Sequence, residues 1–273
     1  MGGVGIKCHW LRWRCLGLEE AVHLLSEVGD EGGLILAEGQ SLIPMMALRL
    51  AYPPHLIDIN SIADLDSLKV DDGQLVVGAT VRHCHFRRPV EVAGQFGDLL
   101  AQVVRHIAHY PIRLRGTFCG SIAHADPASE WCLVAATLDA HLRLMSVHGK
   151  RLVPFDDYVD SALSTTRAAD EVLIEARLPL LSDETQFGFY EFSRRAGDFA
   201  LGMALAVYDL EGSVIRNARI GIGGIEMKPR RIEAAEQALE GRTVSAEAFA
   251  AAAAAAVNAV DAMADPSTPS SYR

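Results

Sequence analysis

The sequence predicts an α+β fold, and three observations lead there. Between residues 187 and 223 three apolar segments follow one another through the tight turns Gly197-Asp198 and Glu211-Gly212-Ser213, the mark of an antiparallel meander. Nearer the N-terminus a short apolar strand, Leu34-Ile35-Leu36, runs into a turn of small residues, a short helix and a second strand over 55–59. The chain closes on helices that include seven consecutive alanines, 250–256, a strongly helix-favouring run.

Each element follows in order. Residues 1–17 mix Trp, Cys, Arg and Gly with neither period two nor period 3.6, and they give no assignable element. An amphipathic helix starts at Leu18 and ends near Gly29. After the first strand a helix begins at Leu42 and is stopped by Pro53-Pro54. Residues 65–70 and 74–79 flank Asp71-Asp72-Gly73, a hairpin signal, and Val81-Arg82-His83 continues beyond it. Helices are expected over 99–108 and 130–138. Residues 141–147 and 151–154 pair around His148-Gly149-Lys150, and Phe155-Asp156-Asp157-Tyr158 is a short helix or turn. Residues 171–178 alternate as a strand before Pro179 and the polar stretch 182–185 mark a boundary. The meander strands are 187–193, 199–209 and 214–223. Helices over 231–239 and 246–263 and a Pro/Ser-rich extended tail, 265–273, complete the chain. The alanine run itself reads as a closely packed helix, since Ala carries no chemistry of its own.

Composition removes several function classes. With a net charge of −10 over 273 residues there is no basic face for nucleic acid. An anionic ligand would need local cations, which directs attention to Arg113/Arg115 and Arg194/Arg195, although solvated charge is the ordinary state of arginine. No apolar run reaches the roughly 18 residues of a transmembrane segment, and the N-terminus has no signal-peptide pattern. The five cysteines (Cys8, Cys15, Cys84, Cys119, Cys132) are odd in number and form no C-x-x-C pair, so neither a disulfide framework nor a metal or iron–sulfur site is expected. A reducing cytoplasm is the expected location. His83/His85 and His106/His109 lack the spacing of a metal motif.

The chemistry concentrates in residues 105–131, RHIAHYPIRLRGTFCGSIAHADPASEW. Arg113 and Arg115 precede a turn of small residues, Gly116-Thr117-Phe118-Cys119-Gly120-Ser121. A similar turn, Ala37-Glu38-Gly39-Gln40-Ser41, follows the first strand. Small residues let backbone approach a ligand, and N–H groups and hydroxyls around a Gly turn make a nest for anionic oxygens. Two such units suggest one ligand held from two sides. Cys119 with His124 does not make a nucleophile pair, because no oxyanion site accompanies it.

Three blocks carry a family resemblance from about Leu18 to the end: EGQSLIPMMALRL…PHLIDI, IAHYPIRLRGTFCGSIAHADPASE and FYEFSRRAGDFAL. The chain resembles the FAD-binding medium subunits of the molybdenum hydroxylases, the carbon monoxide dehydrogenase, xanthine dehydrogenase and N-heterocycle dehydrogenase group. The resemblance implies a two-lobed FAD-binding domain of the PCMH/vanillyl-alcohol-oxidase type over 1–179, with lobes at about 1–60 and 61–179. A small domain of three antiparallel strands plus helices then covers 180–273. It implies FAD, with its diphosphate between Ala37, Glu38, Gly39, Gln40 and Ser41 on one side and Thr117, Phe118, Cys119, Gly120 and Ser121 on the other. Ile107 would lie against the isoalloxazine, Glu130 would accept a hydrogen bond from a ligand hydroxyl, and Leu173 and Tyr190 would line the flavin. For Tyr190, a plain core tyrosine is the competing reading.

The implied function is electron relay. A large molybdenum-cofactor subunit hydroxylates the substrate, two [2Fe–2S] clusters in a small subunit carry the electrons, and FAD here passes them to an external acceptor. No catalytic acid, base or nucleophile is assigned to this chain. The implied assembly is a dimer of heterotrimers. The sequence departs from the family pattern at Glu38 and Cys119, which both occupy glycine positions. A carboxylate repels a diphosphate unless turned away, and a side chain at Cys119 would crowd it or demand glycine-only backbone. The first strand of the family also lacks an obvious counterpart before Leu18. A flavin-free structural subunit and a stand-alone flavin oxidoreductase are the alternatives.

Overall fold

The computed structural model describes residues 10–90, 95–266 and 268–273, so the reading of residues 1–9, Cys8 included, lies outside them. The first unit runs β1 (Leu11–Arg14), α1 (Leu18–Val28), β2 (Leu34–Leu36), α2 (Leu42–Ala47) and β3 (His55–Asp58). Its sheet is parallel, with β3 between β1 and β2. A first strand is therefore present where none was expected. All four β1 side chains are exposed, so the segment has no alternation, and its extended form comes from pairing with β3.

The central unit runs β4 (Leu68–Asp71), β5 (Gln74–Gly78), α3 (Gln95–Val103), α4 (Tyr110–Arg113), α5 (Phe118–His124), α6 (Glu130–Thr137), β6 (His141–Ser146), β7 (Gly149–Pro154), α7 (Phe155–Tyr158), β8 (Val159–Ser161), β9 (Ser164–Thr165) and β10 (Val172–Pro179). Five strands form an antiparallel sheet in the order β4-β5-β10-β6-β7. Asp72 and Gly73 both have positive φ, 50° and 68°, as the tight hairpin requires. Two expectations shift. The helix predicted over 99–108 begins at Gln95 and ends at Val103, and Ala108 is left-handed at φ 41°. Residues 81–83 leave the hairpin and make a single bridge, Arg82 to Thr117.

The last unit runs β11 (Thr185–Ser193), β12 (Ala200–Glu211), β13 (Val214–Gly223), β14 (Arg230–Arg231), α8 (Glu233–Leu239) and α9 (Ala246–Ala259). The expected three-stranded meander is there, and the two-residue β14 adds a fourth strand at its edge. One hydrophobic cluster extends from Cys15 to Val207. Its centre is the buried helix α6, which packs against β12 and β13 as well as α5. Gly221 makes this approach possible, because a Cβ there would collide with the Thr137 hydroxyl. A second cluster lies between β13, α8 and α9, where Ala248, Ala252 and Ala256 form the buried face. Alanine at every fourth position lets α9 lie close to its neighbours.

Candidate functional site

A cavity of about 590 Å³ opens where the three units meet, within the size range of small-molecule sites. Both small-residue segments line it: Ala37, Glu38, Gly39, Gln40 and Ser41 on one wall, Thr117, Cys119, Gly120 and Ser121 on another. Ile107, Glu130 and Leu173 line it too.

The first segment is a loop fixed by side chains. Gly39 is left-handed at φ 70°, and a Cβ there would lie 2.6 Å from Ile43 Cγ1. The Asn60 amide donates to the Ala37 carbonyl and to Asp58 Oδ1. Asp58 is buried and paired with the Arg12 guanidinium. Burial alone would raise the Asp58 carboxyl, but the Asn60 and Arg12 hydrogen bonds hold it below its ordinary value. Glu38, the residue in the glycine position, is engaged by two guanidiniums: Arg82 Nη2 donates to its Oε1 at 2.5 Å, and Arg115 Nη2 is 2.9 Å from its Oε2. The carboxylate is thus countered by two positive charges, and the repulsion expected of it is offset locally.

The second segment is the start of a helix rather than the predicted turn. Thr117 is the N-cap of α5, and its Oγ1 accepts from Gly120 N–H at 3.0 Å. A Cβ at Gly120 would lie 2.5 Å from that oxygen, so the cap needs the glycine. Cys119 adopts no positive φ, and its buried thiol donates to the Val77 carbonyl at 3.5 Å. Burial pushes the thiol far above its ordinary value, so it stays protonated. Cys119 therefore needs no glycine-only backbone, although it does line the cavity. Phe118 is not a cavity residue. Its N–H is spent on the Val81 carbonyl, and its ring packs with Trp131 and Phe86 at centroid distances of 4.9 and 5.7 Å.

The cluster rests on His83. Trp131 Nε1–H donates to His83 Nδ1 at 2.9 Å, so the ring carries its proton on Nε2. Burial, then the charge of Arg113, lowers His83 to about 3, which keeps it neutral. Gly116 must be glycine, since a Cβ would lie 2.5 Å from Nε2.

The remaining predicted residues divide. Ile107 lies on the cavity wall just before the left-handed Ala108, and Arg113 Nη1 donates to both carbonyls, at 2.7 and 2.8 Å. Leu173 precedes a bulge in β10 that turns the strand at the cavity. Glu130 opens α6 on the wall, and burial first, then the charge of Glu191, raises it to about 8. Tyr190 is not part of the wall. It lies on the outward face of β11 and is 72% exposed, while the neighbouring Phe189 takes the inward place. Neither arginine pair lines the cavity: Arg113 and Arg115 are spent as above, and Arg194 donates to the Thr268 hydroxyl. The arginine on the wall is Arg167, which braces the Glu171 carbonyl at 2.7 Å. No sequence signal marked it. Gly197, Asp198 and Phe199, also on the wall, lie in the FYEFSRRAGDFAL block.

Residues 8–181 match the FAD binding domain in molybdopterin dehydrogenase, and residues 187–273 match the CO dehydrogenase flavoprotein C-terminal domain. The chain belongs to the molybdenum hydroxylase medium-subunit family. It is 36% identical to the nicotine 6-hydroxylase medium subunit of Paenarthrobacter nicotinovorans, over 94% of this chain and 89% of that protein. It is 34% identical to the carbon monoxide dehydrogenase medium chain of Hydrogenophaga pseudoflava, over 86% and 81%. Among solved structures, carbon monoxide dehydrogenase from Hydrogenophaga pseudoflava superposes with a TM-score of 0.90 at 32% identity, covering 97% of this chain and 91% of that one. Quinoline 2-oxidoreductase from Pseudomonas putida 86 gives 0.88 at 32% identity, with coverage of 96% and 90%. The cofactor of the family is FAD, and an anionic group between the segments accords with the site: two small-residue segments face one cavity, and the one carboxylate set in the glycine position is countered by two cations.

Proposed function

We propose that this medium subunit holds the FAD diphosphate between residues 37–41 and 117–121 and relays electrons within a larger hydroxylase. The observation that carries this reading is the convergence of both segments on one cavity, with Glu38 countered by Arg82 and Arg115. Bound FAD supplies the exchange between one-electron and two-electron transfer. This chain supplies position and electrostatics. Backbone N–H groups of the first loop and of Cys119 at the start of α5 take the diphosphate, those of Phe118, Gly120 and Ser121 being spent within the chain. Ile107 and Leu173 form apolar walls for the ring, Glu130 takes a ligand hydroxyl, and Arg167 adds the cavity's positive charge. Electrons arrive from a small subunit with two [2Fe–2S] clusters and leave to an external acceptor, while a large molybdenum-cofactor subunit selects the substrate. The relatives named as medium subunits and chains support that assembly, which we take to be a dimer of heterotrimers. We place the division between the FAD-binding domain and the C-terminal domain at residues 179–180. Cytoplasmic location belongs to the same reading: the four described cysteines are free, and among the described residues no helix is long and apolar enough to cross a membrane.

The test is an absorption spectrum of the purified chain, followed by heat release and identification of any flavin. Oxidised-flavin bands and about one FAD per chain are expected. A colourless chain that refuses added FAD would mean a flavin-free structural subunit. Unaided turnover of a substrate by the isolated chain would instead mean a stand-alone oxidoreductase.

A further inference from the structure

His83 is 3% exposed, yet its side chain forms part of the cavity wall. Trp131 Nε1–H fills Nδ1 at 2.9 Å and leaves the ring proton on Nε2. That N–H has no acceptor among the described residues. Nε2 faces Gly116, which also lines the cavity and where a Cβ would lie 2.5 Å away. Ile112 O, on the same side of Gly116, already accepts from the N–H groups of Arg115 and Gly116, at 3.1 and 2.7 Å. Nor is Nε2 sealed into the core. The solvent-excluded side-chain atoms without a partner, among the described residues, are His141 Nδ1, Tyr158 Oη, Glu191 Oε2 and Arg273 Nε. The small part of His83 that stays open therefore includes its one spare donor. A phenylalanine would fill the same aromatic cluster without the cost of a desolvated, unpaired N–H.

The location of this donor is fixed by residues 81–83, which join the two small-residue segments. Val81 O accepts from Phe118 N–H, Arg82 bridges Thr117, and His83 N–H donates to Gly116 O at 2.9 Å. The Arg82 side chain crosses to Glu38 in the first loop. His83 is thus held beside the place where the segments face each other. The second segment is short of donors there, because the N–H groups of Phe118, Gly120 and Ser121 are engaged within the chain. We infer that His83 is a cofactor-binding residue that donates its Nε2–H to a diphosphate oxygen of FAD, an inference that rests on the FAD reading above. Trp131 is the positioning residue: its N–H on Nδ1 holds the ring and fixes the tautomer. A hydrogen bond to an ionised oxygen is among the stronger ones, and this donor brings no further charge to the site.

The test begins without flavin. Nitrogen-15 spectra of the histidine-labelled full chain are expected to show one ring with its proton on Nε2, identified by its loss in the His83→Asn chain. A His83 proton on Nδ1 overturns the inference. Saturating ADP, and then FAD, should shift the Nε2–H signal and slow its exchange with solvent. A signal unmoved by bound FAD overturns the inference and leaves the FAD reading standing. A signal that FAD moves and ADP does not places the donor elsewhere on the cofactor and overturns the assignment to the diphosphate. A chain that binds no FAD fails the cofactor reading and the inference with it. Two variants separate binding from packing. The Asn amide oxygen can take the place of Nδ1 and keep the Trp131 bond, but Asn cannot reach as far as Nε2; the Gln amide nitrogen can. His83→Asn should weaken FAD binding about tenfold or more, and His83→Gln should stay within about threefold, although His83→Asn keeps the higher melting temperature. FAD affinities that instead follow the melting temperatures would make His83 a core residue and overturn the inference.

Discussion

The two segments that face the cavity look alike as sequence and are built in opposite ways. Residues 37–41 are an irregular loop whose shape is imposed from outside, by Asn60 on its carbonyl, by Arg82 and Arg115 on Glu38, and by a left-handed Gly39. Residues 117–121 begin a helix whose shape is largely its own, capped by Thr117 and anchored by Phe118 in an aromatic cluster. A charged residue is therefore tolerated in the first because distant cations meet it. A larger residue is tolerated in the second because the helix turns it into the core.

The largest test of this contrast is Phe118→Ala. Emptying a fully buried aromatic site should cost about 3–5 kcal/mol in denaturant unfolding. A cost under about 1 kcal/mol would show that the cluster does not anchor the helix. Acid should separate the segments next. His83 stays neutral in the folded chain down to about 3, while the unfolded chain takes up a proton below 6.5. Stability carried by His83 is thus present above 6.5 and lost as pH falls from there, by up to about 1.4 kcal/mol per pH unit. His83→Gln should flatten that slope in melts against pH. Asp58, with its folded pKa depressed below the ordinary 3.8, contributes stability above 3.8 and loses it only as pH falls through the folded value. Hydrogen exchange on acidification should therefore loosen 116–121 before 37–41.

Gly39→Val should cost about 1–3 kcal/mol and weaken FAD binding more than Gly120→Ala does, since the first loop has no helix to fall back on. Thr117→Ala should cost about 0.5–2 kcal/mol, with Thr117→Ser restoring most of it; failure of Ser to rescue would mean that the methyl packing, not the cap, matters. The smallest effect is expected from Arg82→Ala with Arg115→Ala. Both guanidiniums are partly exposed, so releasing Glu38 should weaken FAD binding by up to about fivefold, read by titration of the flavin-free chain. Tighter binding would mean that Glu38 never threatened the diphosphate.

How much of the site could be read beforehand differs between the segments for the same reason. Both were visible as small-residue stretches, and so were Ile107, Glu130 and Leu173 through the family resemblance. Phe118 lies off the cavity wall. The helix directs its side chain, and its N–H, into the protein. Tyr190 lies off the wall because alternation along β11 gives the inward place to Phe189. Arg167 left no trace in the sequence, since nothing local distinguishes it from a solvated arginine.

What the sequence determined by itself is what short-range patterns encode: α1, the hairpins, the meander, the alanine-rich α9 and the family-specific blocks. Tertiary structure decided the rest. The strand β1 exists because β3 offers it a parallel edge, not because its residues alternate. The meaning of Glu38 rests on Arg82, 44 residues away, and on Arg115, because charge is countered in space and not along the chain. The exposure of Tyr190, the burial of Cys119 and the unpaired oxygen of Glu191 are likewise set by which neighbours the packed core brings to each side chain.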